Sequence, residues 1–136
     1  MSHSCSTIVF TCIDFRFQKS IHAWLESQHL IGDHDRVGIA GGVLNITTPA
    51  DEHNRALLLK QIEIAHNLHH IQKVILINHE DCGAYGGKGA CEGDEQEYAK
   101  HESELKQAGE YIKQTFPDLA IETYFATLNG VVEKVD

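Results

Sequence analysis

The chain has 136 residues, 42% of them hydrophobic, and a formal net charge of −9 at pH 7. That length suits one domain, residues 1–136, with a core large enough to need no staples. The acidic balance and the lack of any basic cluster exclude a nucleic-acid or anionic-membrane surface, and no apolar run approaches the ~20 residues of a membrane span.

The opening "MSHSCSTIVF" lacks the charged-then-apolar layout of a secretory signal, so the expected location is the cytoplasm. Residues 6–11, "STIVFT", are β-branched and aromatic and predict a strand. "QKSIHAWLESQHL", 18–30, carries Ile21, Trp24 and Leu25 at helical spacing, with Gly32 as the expected stop. "DRVGIA", 35–40, predicts a short strand running into Gly41-Gly42. Thr48 is the expected N-cap of the next helix, with Pro49 at its first position and Asp51 closing a capping box. That helix carries Ala56, Leu59, Ile62 or Glu63, and Leu68 at helical spacing and runs to about His69. "KVILIN", 73–78, is a continuous apolar run of the kind a central parallel strand needs when both its faces are covered.

The glycine-rich stretch "HEDCGAYGGKGACEGD" is too long for a mere connection. A polar helix follows from about Asp94 to Gln114, with Leu105, Ala108 and Ile112 as a narrow apolar stripe. "LAIETYFATL", 119–128, is the last long strand, and Asn129-Gly130 before "VVEKV" signals a hairpin to a short antiparallel strand. Strands alternating with helices predict an α/β fold with a parallel sheet, whose ligands bind beyond the carboxyl ends of the strands.

The chemistry concentrates at two of those ends. Cys12, Asp14 and Arg16 follow the first strand at alternate positions, and period-2 geometry places them on one side. His79 and Cys82 follow the third. If those strands are neighbours, all five groups converge. Two thiolates and an imidazole suit zinc, and three protein ligands leave the open fourth position of a catalytic site. Cys5 or Cys91 would supply a fourth ligand in a structural site; otherwise they are bystanders. Asp14 either ligates the metal or accepts a hydrogen bond from its water, and Arg16 keeps Asp14 ionised through a charge-assisted pair.

Two motifs carry a family resemblance. "CIDFR" resembles the C-x-D-x-R motif of β-class carbonic anhydrases, and "HEDCGAYGG" resembles their H-x-x-C-G motif. "ALLLKQIEIAHNLHHIQKVILINHEDCGA" is similar to the family's helix–strand run, and the resemblance spans residues 8–90. It implies a three-layer fold with a four-stranded parallel sheet of order 2-1-3-4, flanked by helices. It implies Zn2+ held by Cys12, His79 and Cys82, with Asp14 and Arg16 as the catalytic pair and Asp14 a possible fourth ligand. Gly41 and Gly83 would supply backbone positions on the substrate side. The implied reaction is reversible hydration of carbon dioxide to bicarbonate, in a homodimer or higher homo-oligomer. The chain departs from the family in starting directly in its first strand, and in carrying "GIAGG", 38–42, where many members have R-N-A-G-N.

Two alternatives keep the zinc: a hydrolase for carbonyl sulfide or carbon disulfide, and a zinc-binding module without turnover. "GAYGGKG", 83–89, lacks the spacing of a phosphate loop, and "C-x-x-x-R" is too short for a cysteine-phosphatase loop. His66, His69 and His70 are expected as a solvated helix end, and "GDEQEYAKHESELK" as a solvated helical face.

Overall fold

A computed structural model describes residues 3–136. Five strands form one sheet in the order β2-β1-β3-β4-β5: β1 Thr7–Thr11, β2 His34–Gly38, β3 Lys73–His79, β4 Ala120–Ala126 and β5 Val132–Val135. The first four are mutually parallel and β5 pairs antiparallel with β4. This is the expected 2-1-3-4 order with its antiparallel appendage. The helices are α1 Gln18–Ser27, α2 Leu44–Thr47, α3 Glu52–His69 and α4 Asp94–Thr115.

Alternation along β1 and β3 builds a core on each side of the sheet. Ile8, Phe10, Val74 and Leu76 point to one face and meet Ile46 of α2, Leu58 and Ile62 of α3, and Leu105 and Ile112 of α4. Val9, Ile75 and Ile77 point to the other and meet Ile21 and Leu25 of α1. Every residue of β1, and all of β3 after Lys73, is buried, which is why "KVILIN" shows no polar alternation.

Three local expectations change. Helix α1 stops at Ser27, well before Gly32, through a C-terminal motif built on His29. His29 takes a left-handed φ of 59°. Its N–H donates to Glu26 O and the Leu30 N–H donates to Leu25 O, while Leu25 and Leu30 are buried in one cluster. Thr48 caps no N-terminus; it ends the short α2, and Asp51 caps α3 by accepting from the His53 N–H at 2.9 Å. Pro49 therefore lies in the bend between the two helices. Residues 12–16 are not strand: β1 ends at Thr11, and Asp14 accepts from the Arg16 N–H at 3.0 Å to open a 3-10 turn over Phe15–Phe17. Cys12, Asp14 and Arg16 are thus brought together by a turn and not by the pleat.

Candidate metal centre

β1 connects onward to β2 on one side and β3 to β4 on the other, so the connections leave the carboxyl ends of these two neighbouring strands in opposite directions. Such a switch point opens a crevice above the strand ends. Thr11 pairs with Ile77, so the chain emerges from β1 as Cys12 beside the end of β3 at Asn78 and His79. Cys82 follows three residues later.

A ligating atom from each of Cys12, His79 and Cys82 lies within 4.8 Å of the others. The His79 Nδ1 is bonded to Glu80 O at 2.7 Å, which leaves Nε2 as the lone-pair nitrogen. That Nε2 is buried and has no hydrogen-bond partner among the described residues. An orphaned buried acceptor is costly, and a cation facing it removes the cost. The two sulfurs beside it complete a soft S2N donor set that fits zinc. The sulfurs also polarise each other: the Cys82 thiol hydrogen-bonds the Cys12 sulfur and holds Cys12 down to about 3 as a thiolate. The same thiolate, together with burial, pushes Cys82 far up. A cation here therefore meets one ready thiolate and displaces one proton. The Gly41 N–H adds a contact to Cys12 Sγ at 3.4 Å.

Asp14 faces this centre without joining it. Its Oδ2 lies 3.9 Å from His79 Nε2, and both carboxylate oxygens accept from Arg16, Oδ2 from Nη2 at 2.7 Å and Oδ1 from Nε at 3.1 Å. The Arg16 hydrogen bonds hold the Asp14 carboxyl down to about 2. Arg16 is itself clasped from the opposite side. Its Nη1 donates to Asp81 Oδ2 and its Nη2 to Asp81 O, both at 3.0 Å. Asp81 sits at a left-handed φ of 58° and also accepts from the Lys88 N–H at Oδ1. Nothing in the sequence singles out Asp81, which stands inside "HEDCG" with no spacing signal of its own.

Behind Asp81 lies a second missed group. Glu97 is 4% exposed, accepts from the Asp81 N–H at 2.7 Å, and pairs with Lys88 Nζ at 3.1 Å. Lys88 also reaches Glu80 at 2.5 Å and Asp94 at 2.6 Å. His101, one turn beyond Glu97, is 2% exposed. Its Nδ1 accepts from Asn78 Nδ2 at 2.9 Å, and Asn78 immediately precedes His79. The segment expected as a solvated face therefore buries two polar residues against the loop that carries Cys82.

Gly41 and Gly42 explain the "GIAGG" sequence. Gly42 has φ 51°, and a Cβ there would lie 3.2 Å from Asn78 Oδ1. Gly41 has φ 85°, and its Cβ would meet Ala84 at 3.0 Å. The turn after β2 thus packs backbone against the metal centre. Gly41 and Gly83 both line a shallow, open depression of about 470 Å³ with Cys12, Asp14, Arg16 and Cys82. Phe15, at its rim, is 77% exposed, and Ile13 is exposed too.

A parallel α/β sheet with a Cys–His–Cys centre at its switch point defines the class of protein. The family model described as "Putative carbonic anhydrase" matches residues 1–136, and the chain belongs to this family. An uncharacterised protein of Rickettsia bellii (strain RML369-C) is 31% identical, covering 98% of this chain and 83% of its own. The fold is similar to a carbonic anhydrase from Streptococcus mutans, with TM-score 0.67 and 17% identity over 99% of this chain and 84% of that one. It is also similar to a tetrameric β-carbonic anhydrase from Sordaria macrospora, with TM-score 0.63 and 14% identity over 98% of this chain and 82% of that one.

Proposed function

We propose that this chain is a zinc-dependent carbonic anhydrase that interconverts carbon dioxide and bicarbonate. The observation that carries the reading is His79 Nε2, buried, unpartnered and set between two cysteine sulfurs. Cys12, His79 and Cys82 would hold the metal. Zinc bound there supplies a Lewis acid that brings the pKa of water towards about 7. Asp14 orients the attacking water by accepting one of its hydrogens at Oδ2, and it rejects a protonated carboxyl state because Arg16 keeps it ionised. Arg16 holds Asp14 from one side while Asp81 holds Arg16 from the other, so the acceptor does not swing away. The proton that leaves on bicarbonate formation passes to solvent through the open depression.

Carbon dioxide is small and uncharged, so a shallow site with few polar anchors suffices for it. Exposed Ile13 and Phe15 beside the depression support a homo-oligomer in which a second copy supplies the missing wall. No helix among the described residues is long and apolar enough to cross a membrane. The reading as one domain over 1–136 rests on the family match across that span.

Stopped-flow hydration of carbon dioxide by zinc-loaded protein from about pH 7 to pH 9 tests the proposal. Turnover above the buffer blank that rises with pH is the expected result. A protein with one zinc at the Cys12–His79–Cys82 centre and no turnover would overturn it in favour of another substrate or a non-catalytic role.

A further inference from the structure

A second group of ligand-type side chains lies at the opposite, amino end of the sheet. Cys5 precedes β1, Asp35 is the second residue of β2, and His69 is the last residue of α3. A ligating atom from each lies within 4.8 Å of the other two. The backbone fixes their approach, since the Cys5 N–H donates to His69 O at 3.0 Å. The His69 Nδ1 is paired with Asp35 Oδ2 at 2.6 Å. A fourth group stands beside them: the His3 ring centroid is 4.8 Å from that of His69, with the planes at 60°. Two imidazoles on one tetrahedral zinc have centroids about 5 Å apart, given Zn–N bonds of about 2.0–2.1 Å.

The charge balance favours a cation. Asp35 has His69 as its partner and no Lys or Arg ion pair among the described residues. Asp33, close by, takes its hydrogen bonds from the Ser6 N–H and hydroxyl, which are neutral. The acidic group around Glu97 differs, because Lys88 fills it.

We infer that His3, Cys5, Asp35 and His69 form a second, structural zinc site that ties the segment before β1 to β2 and to the end of α3. The donor set of one sulfur, two imidazole nitrogens and one carboxylate oxygen suits Zn2+; Cys5, Asp35 and His69 converge already, and His3 would turn a ring nitrogen in to complete a four-coordinate site. Binding replaces the His69–Asp35 hydrogen bond and the Cys5 Sγ–Thr7 O contact with bonds to the metal; the ring proton passes through solvent from His69 Nδ1 to Nε2, and the Cys5 thiol proton leaves to solvent. The site lies roughly 20 Å from the Cys12–His79–Cys82 centre, given a strand rise of about 3.3 Å per residue over the intervening chain. It therefore stands or falls independently of the catalytic reading.

Elemental analysis of desalted, zinc-reloaded full-length protein gives the count. Wild type is expected to hold two zinc ions per chain, and Cys5→Ala and His69→Gln one each, with carbon dioxide hydration kept in the Cys5→Ala protein. Cys82→Ser is also expected to hold one. Reloaded with Co2+, the Cys82→Ser protein should retain a thiolate-to-cobalt absorption band that disappears in the Cys5→Ala/Cys82→Ser double variant. Wild type with one zinc, or a Cys5→Ala protein that still holds two, would overturn the inference. So would a Cys82→Ser protein with wild-type circular dichroism and no cobalt–thiolate band.

Discussion

Two clusters of ligand-type side chains sit next to each other around the loop after β3, and they meet opposite fates. Cys12, His79 and Cys82 leave a buried nitrogen with no hydrogen-bond partner among the described residues. Glu80, Asp94 and Glu97 also bring their oxygens within 4.8 Å of one another, yet Lys88 reaches all three. The donor atoms of the first cluster suit a cation; in the second, an ammonium already plays that role. The presence of metal-binding residue types is thus a weak signal, and the absence of an internal counter-charge is a stronger one. The acidic cluster still serves the site, because Glu97 fixes the Asp81 N–H and Asp81 fixes Arg16.

The largest expected effect comes from breaking the first cluster. His79→Ala or Cys82→Ser should lose the zinc of that cluster and bring hydration down to the buffer background. Asp14→Ala should keep the metal and lose about 10²–10³-fold in kcat. Zinc content and stopped-flow rates on the same samples separate the two outcomes. Retained activity in the Asp14 variant would count against its role as the water's acceptor.

Breaking the second cluster should act mainly on stability. Lys88→Ala leaves Glu97 buried beside two other carboxylates, so the urea unfolding midpoint should fall below that of wild type. The variant should also be stabilised by millimolar Ca2+, whereas wild type should not. A Lys88→Ala protein that is indifferent to calcium would mean the carboxylates had spread into solvent.

A smaller, pH-dependent effect belongs to His101. Burial lowers its pKa from 6.5 to about 4. The unfolded chain therefore binds a proton more readily than the folded one between those values. Stability from this group is full above about pH 6.5 and is lost as pH falls towards 4, by roughly 3 kcal/mol in total. His101→Gln keeps an acceptor for Asn78 Nδ2 and removes the titration. Its unfolding free energy should fall less steeply than that of wild type across that window. Parallel curves for the two proteins would show that His101 titrates alike in the folded and unfolded states.

The candidate ligands were legible because they come as short motifs at strand ends, and apolar β1 and β3 make those ends easy to find. Asp81, Glu97 and His101 were not. Glu97 and His101 lie four apart on α4, and in sequence that face reads as solvated. What buries them is the folding of the loop 80–91 onto the helix, a contact between distant residues that no periodicity records. His69 was hidden in the same way: a histidine at a helix end is ordinarily wet, and its partners Cys5 and Asp35 arrive from two other elements.

The sequence by itself determined the alternation of strands and helices, the continuous burial of β3, the hairpin at Asn129-Gly130 and the candidate ligands Cys12, His79 and Cys82. These depend on local propensity and on side-chain period, which neighbouring residues set. The tertiary structure alone decided that Asp81 clasps Arg16 from the far side, and that Lys88 neutralises one cluster while His79 Nε2 finds no partner among the described residues in the other. Those outcomes depend on which charges meet across the fold, and charge pairing at a distance is invisible until the chain has closed.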